Sequence, residues 1–231
     1  MTLYQPESGY CYNSDSVLLY DFISSFKPRG RVLDVGAGCG IVGLLVARDN
    51  LHVELEAVEK QDVFVEYATH NARVNNIKYK LYKEDFLALH VEEKYDYIIS
   101  NPPFYPDGAV KSDDEMLKIA RYNSSLPMAS FFKKVSQLLK PKSHFIFCYD
   151  VTQFGLVCAE LAKVNMRVVD VQFVHSKIDK AASLVMVHAR NSSKSLMKVW
   201  QPLIHFEEDK VSLHVERIYE KAQTRSIKCQ L

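Results

Sequence analysis

The sequence predicts an α/β fold, a mostly parallel sheet with crossover helices on both faces. Strand-like and helix-like segments alternate from Arg31 to about Asn165, and parallel strands need a crossover of about a dozen residues, usually a helix. The last two strand-like runs, "RVVDVQFVHS" and "SLVMVHAR", have no helix between them. They should therefore close the sheet as an antiparallel hairpin. With 231 residues, 48% of them hydrophobic, the chain can bury one large core.

Each element has its own signal. "SDSVLLYDFISSF" has helix spacing, with Val17, Leu18, Tyr20 and Phe22 on one face and Ser14 or Asp15 as the cap. "RVLDV" is a buried strand running into glycines, and "IVGLLVARD" is helical. "HVELEAVE" alternates like a strand. "DVFVEYATHNARVNN" is helical, with Asn75 or Asn76 near its end. "KYKLYKED" and "YDYIIS" are strands. After a long polar loop, "MASFFKKVSQLL" is a helix stopped by Pro141. "SHFIFCY" is a strand and "TQFGLVCAELAKVN" a helix. "RNSSKS" (190–195) reads as a linker to a basic, less regular tail. The expected organisation is an N-terminal segment and helix over 1–30, a central domain over 31–190 and an extension over 191–231.

Composition excludes several classes. The net charge of +1 sets up no global field for nucleic acid, so any such surface is a local patch. Five scattered cysteines without a CxxC pair read as reduced cytosolic thiols rather than a disulfide framework or zinc site. The eight histidines show no metal-ligand spacing, so no metal is expected. No signal peptide is expected, and no apolar run in the sequence is long enough to cross a bilayer. The expected location is the cytoplasm, with no membrane partner, and the expected state is a monomer.

"LDVGAGCGIVG" follows the first strand of the sheet. Glycines here let the backbone turn tightly and approach a ligand. Gly38-x-Gly40-x-x-Gly43, with Glu59 about 20 residues on, fits a dinucleotide fingerprint. Asp34-x-Gly36-x-Gly38-x-Gly40 fits an S-adenosylmethionine loop instead. Three later features favour the second parse. Glu59 ends the second strand, where a carboxylate can accept from both ribose hydroxyls. Asp85-Phe86 ends the third, where a carboxylate and a backbone N–H can meet an adenine edge. Asn101-Pro102-Pro103-Phe104 ends the fourth. All stand at the carboxyl ends of consecutive strands, where ligands sit in open α/β sheets.

The Asn101-Pro102-Pro103-Phe104 stretch is more than a strand stop. An amine on a heteroaromatic ring is a poor nucleophile, because its lone pair is conjugated into the ring. The Asn101 side-chain oxygen and the Pro102 carbonyl can accept its two N–H bonds and stabilise the charge that develops on transfer. Phe104 can stack on the planar group. With these motifs the chain resembles the class I S-adenosylmethionine-dependent methyltransferases that carry an Asn-Pro-Pro-aromatic motif. The resemblance implies a Rossmann-like sheet of seven strands, the last antiparallel. It also implies S-adenosylmethionine on Asp34, Gly36, Gly38, Gly40, Glu59, Asp85, Phe86 and Asn101, and catalysis by Asn101, Pro102 and Phe104.

Two further stretches are similar to the bacterial tRNA(Val) adenine-N6 methyltransferase family. In "QPESGYCYNSDSVLLYDF" (5–22) the matching residues include Gln5, Gly9, Tyr10, Asp15, Ser16 and Asp21, although Cys11-Tyr12 stands where the family has Arg-Phe. In "KIARYNSSLPMASFF" (118–132) Ala120-Arg121 is kept, and Tyr122-Asn123 replaces His-Glu. "QPLIHF" (201–206) resembles that family's C-terminal extension. The resemblance implies a tRNA partner, bound in part through Tyr10, Pro103, Phe104 and Arg121. Arg217, Lys221, Arg225 and Lys228 are the candidate phosphate-binding set on the tail. The competing substrates are protein glutamine and rRNA guanine. A non-catalytic nucleotide-binding module, such as an NAD sensor, is the remaining alternative class.

Overall fold

The computed structural model describes residues 1–7, 11–103 and 126–231. After a short strand β1 (Thr2–Gln5), helix α1 (Ser14–Ser24) leads into the alternating series. That series is β2 (Gly30–Val35), α2 (Ile41–Asp49), β3 (Val53–Glu59), α3 (Asp62–Val74), β4 (Lys80–Lys83) and β5 (Tyr95–Ser100). It resumes with α4 (Met128–Leu138), β6 (Leu139–Asp150), α5 (Phe154–Lys163), β7 (Met166–His175) and β8 (Ala182–Asn191). Seven strands run in the order β4-β3-β2-β5-β6-β8-β7. β4, β3, β2, β5 and β6 are mutually parallel, and β8 lies antiparallel between β6 and β7. The expected α/β sheet and its closing hairpin are both present.

Two boundaries fall elsewhere than the sequence suggests. The cap of α1 is Asn13, whose side-chain oxygen accepts the Asp15 N–H at 3.1 Å; Ser14 and Asp15 are already helical. Asn is as good a cap as Ser or Asp, so the residue type alone could not place the first turn. Helix α4 ends at Leu138, and Leu139 has extended backbone, so the chain leaves the helix before Pro141 can stop it.

Residues beyond β8 are built into this framework. β9 (Lys198–Val199) and β10 (Leu203–Ile204) add to the edge of β7 in parallel. The Trp200 indole N–H donates to Asp170 of β7 at 2.9 Å. A small hairpin, β11 (Phe206–Glu207) and β12 (Lys210–Val211), precedes α6 (Leu213–Ala222). The last strand, β13 (Arg225–Lys228), pairs in parallel with β1. Asn71 on α3 and Asn75, the residue that caps its end, imitate a further strand. Their side chains accept from Tyr4 N–H at 2.7 Å and Thr2 N–H at 3.1 Å, and they donate to the carbonyls of the same residues. The two chain termini are thereby fastened beside the glycine turn.

Candidate active site

The turn between β2 and α2 forms one wall of a cleft. Gly36, Gly38 and Gly40 all have positive φ, at 68°, 54° and 86°, a region that side chains with a Cβ seldom enter. A Cβ added at Gly36 or Gly38 would meet nothing within 4 Å. The space beside these two residues is therefore open. Gly43 is required for a different reason. A Cβ there would lie 2.8 Å from an Asp34 carboxylate oxygen and 3.0 Å from Leu55, so glycine lets α2 pack directly on β2 and β3.

Two carboxylates hold this turn. Asp34, only 2% exposed, accepts the Gly43 N–H at 2.9 Å and so satisfies one free donor in the first turn of α2. Burial pushes its pKa up to about 7, offset in part by that hydrogen bond. Glu59, also buried, accepts Gly38 N–H at 3.0 Å and Gln61 N–H at 2.9 Å, one on each oxygen. Burial raises its pKa, while backbone hydrogen bonds pull it down. An ionised carboxylate has about four acceptor directions, so Glu59 can bind further donors from the cleft.

Asp85 follows β4. It is exposed, borders the cleft, and accepts the Leu87 N–H at 2.8 Å through one oxygen. Phe86 borders the cleft but is mostly core, set edge-on against Phe131 with ring centres 5.6 Å apart. At the end of β5, the Ser100 hydroxyl donates to the Val35 carbonyl at 2.8 Å, which ties the fourth-strand end to the glycine turn. Asn101 and Pro103 then border the same cleft, whereas Pro102 between them is buried and does not. The cleft thus brings together Asp34, Gly36, Gly38, Glu59, Asp85, Phe86, Asn101 and Pro103 around about 900 Å³ of space, part of it open to solvent. Gly40 stands behind it as the residue before α2. Tyr10, Phe104 and Arg121 lie outside the described residues.

Several residues bordering the cleft have no motif to announce them. Ser16 and Tyr12 come from the N-terminal segment, and Gln61 and Phe64 from the start of α3. Ser16 stood in the stretch of family resemblance, and helical spacing from buried Leu19 and Tyr20 places it on the inward side of α1. Cys39 borders the cleft too, and burial pushes its thiol up to about 12. All five cysteines are free. No group of His, Cys, Asp and Glu among the described residues could hold a metal ion, and none of the described helices is long and apolar enough to cross a membrane. Of the basic set on the tail, Lys221 is engaged with Asp21 at 2.7 Å and lies over the Tyr20 ring. Arg217, Arg225 and Lys228 are exposed.

Comparison with known proteins adds to this geometry. The family model described as the methyltransferase small domain matches residues 13–123, a span that runs from α1 through the glycine turn and Asn101. Among solved structures, a predicted O-methyltransferase from Agrobacterium tumefaciens superposes with a TM-score of 0.68 at 16% identity, covering 93% of this chain and all of that one. The chain has the fold of the class I S-adenosylmethionine-dependent methyltransferases. A ribosomal RNA guanine-N2 methyltransferase from T. thermophilus, solved with S-adenosylmethionine and guanosine, matches with a TM-score of 0.58 and 24% identity over 80% of this chain and 44% of its own. In sequence, a tRNA1(Val) (adenine(37)-N6)-methyltransferase of Bacteroides thetaiotaomicron is 31% identical over 147 residues, 62% of this chain and 61% of that relative. The enzyme of the same name from Dyadobacter fermentans is 26% identical over 189 residues, 80% of this chain and 78% of its own. The alignment thus spans about three fifths of the Bacteroides relative.

The T. thermophilus structure of this fold holds S-adenosylmethionine, and the residues present here suit that cofactor. Open space beside Gly36 and Gly38 admits a ligand against the backbone. Glu59 has acceptor capacity left for hydroxyl donors, and one Asp85 oxygen is not used by Leu87. The carboxylates in the walls also favour a positively charged ligand.

Proposed function

We propose that this chain transfers a methyl group to the exocyclic N6 amine of an adenine in tRNA, next to the anticodon of a tRNA(Val). The carrying observation is Asn101 on the rim of the cofactor cleft, one residue beyond the Ser100 link to the glycine turn. An acceptor amide there can meet a planar amine held in line with the cofactor. The names of the Bacteroides and Dyadobacter relatives support adenine in tRNA as that amine.

In this reading Glu59 holds the ribose hydroxyls, Asp85 and the Phe86 backbone meet the adenine edge, and the Gly36–Gly40 turn lies along the ligand. Bound S-adenosylmethionine supplies an activated methyl on a cationic sulfur. Asn101 Oδ1 and the Pro102 carbonyl accept the two amine N–H bonds, and Phe104 stacks on the base. Both acceptors strengthen as the nitrogen becomes positive, so they lower the barrier more than they tighten binding. A newly methylated aryl ammonium is acidic and loses its proton to water, which spares the site a strong general base. A base in an anticodon loop is already partly unstacked, so presenting it costs less than flipping it from a duplex. Phosphate contacts from Arg121 and the exposed tail residues Arg217, Arg225 and Lys228 should weaken with salt.

The test incubates the full chain with labelled S-adenosylmethionine and separate tRNA, rRNA and release-factor pools, followed by nucleoside and amino-acid analysis. Label in N6-methyladenosine from the tRNA pool is expected. Label in guanine or in protein glutamine, with none in adenine, would replace the substrate. Tight cofactor binding with no label in any pool would favour the non-catalytic module.

A further inference from the structure

Asn101 does not stand alone at the cleft rim. Its Nδ2 donates to the Ser16 hydroxyl oxygen at 3.1 Å. Its Oδ1 accepts from the Cys148 thiol at 3.0 Å. Ser16 comes from α1, 85 residues away, and Cys148 from β6, 47 residues away. Ser16 is 3% exposed and Cys148 is fully buried. Ser16 borders the cleft beside Asn101, while Cys148 sits behind it in the sheet.

The two partners differ in kind. A carboxamide has two faces of opposite polarity, and a half-turn exchanges an acceptor oxygen for a donor NH2. A donor NH2 aimed at an amine would repel it. Burial pushes the Cys148 thiol well above its ordinary range, so it stays protonated. A protonated thiol is a weak donor and a poorer acceptor, and it favours the amide oxygen. Ser16 takes the nitrogen end. The carboxamide oxygen has two lone pairs, so one remains for a second donor.

We infer that Ser16 and Cys148 are positioning residues: together they fix the Asn101 carboxamide with its oxygen, rather than its nitrogen, available to the acceptor amine. The inference rests on the methyl-transfer reading for its consequence, but the hold on the amide is a property of the folded chain. Neither residue touches the reacting atoms. Each loss should lower the rate of transfer and leave cofactor affinity nearly unchanged. A single neutral hydrogen bond is worth roughly a fivefold to tenfold change. The Cys148 bond has the weaker donor, so its loss should cost less, roughly threefold.

The experiment uses the full chain labelled with ¹⁵N-asparagine, as wild type and as Ser16→Ala, Cys148→Ala and Cys148→Ser. The Asn101 carboxamide signal is assigned by its absence from Asn101→Ala. In the wild type its Nδ2 protons should exchange with solvent more slowly than those of an exposed asparagine. Ser16→Ala should speed that exchange roughly tenfold, and Cys148→Ala should shift the signal. Single-turnover methylation should fall with KM unchanged in both. Cys148→Ser keeps a donor and should restore the rate to within about twofold; it also guards against a cavity effect in Cys148→Ala. An Asn101 signal unmoved in Ser16→Ala and Cys148→Ala would overturn the inference. So would wild-type rates in both variants despite a changed signal. If the wild type methylates no acceptor, the proposed function fails, while the exchange data still decide whether this pair holds the amide.

Discussion

The two walls of the cleft are built differently. The glycine-turn wall, the cofactor wall of the proposed reading, is held by carboxylates that accept backbone N–H groups: Asp34 from Gly43, Glu59 from Gly38 and Gln61. Those partners lie between 2 and 21 residues apart in sequence. The acceptor wall is held by side chains on other side chains, Asn101 between Ser16 and Cys148, across 85 and 47 residues. Backbone donors survive most side-chain changes, so the first wall depends on its glycines and its two carboxylates rather than on a meeting of distant side chains. The second depends on the identity of each residue that meets at Asn101. Cofactor binding should therefore be the robust property of this site, and acceptor chemistry the fragile one.

That contrast can be broken in three places. The largest effect is expected at Asn101. Asn101→Ala should bind cofactor normally and lose roughly a hundredfold or more in single-turnover rate, the size seen when one hydrogen-bonding group is removed from a transition state. A near-normal rate would erase the distinction between the walls.

Next is Glu59, whose carboxylate serves both the turn and, in the proposed complex, the ribose. Glu59→Ala should weaken cofactor affinity by about 1.5–3 kcal/mol, as for hydrogen bonds to a charged group, read by calorimetry. Unchanged affinity would remove Glu59 from the cofactor wall. If acceptor binding fell instead, the two walls would be exchanged.

The smallest effect is on stability, at Asp34. Its pKa is raised to about 7 from an ordinary 3.8. Between those values the folded state holds the proton that the unfolded state has released. Its contribution to stability is therefore present at low pH and lost as pH rises through about 7. Asparagine keeps an acceptor for the Gly43 N–H and cannot ionise. Asp34→Asn should gain in melting temperature relative to wild type between pH 5 and 8, by about 2–4 °C for each kcal/mol in a chain of this size. A constant gap across that range would mean the carboxyl does not titrate there.

The central sheet was readable because its signals are local. The alternation of strand and helix, the glycine run after β2 and the missing helix between β7 and β8 each occupy a short window. The acids at the strand ends were readable for the same reason: in a parallel sheet every strand ends on one side, so chain order translates into spatial order. The same logic put Asn101 at the cleft. Its surroundings were not readable. Nothing in "YNSDSV" or "FIFCYD" marks Ser16 and Cys148 as partners of one amide, since a serine in a first helical turn and a cysteine in an apolar strand are ordinary packing residues.

The tail shows the same division at a larger scale. "RNSSKS" has the composition of a linker, and the residues after it have no strong period, because two-residue strands such as β9 and β10 are too short to display one. Their place is decided by the free edge of β7, by Asp170 waiting for the Trp200 indole, and by Asn71 and Asn75 pairing with β1 beside β13. The sequence by itself determined the α/β order, the glycine turn and the acids that border the cleft, since these follow from dihedral preference and from hydrogen bonds that reach only a strand or a turn away. Only the tertiary structure decided which side chains grip Asn101 and where the termini dock, because those contacts join residues whose separation along the chain carries no period and no pattern.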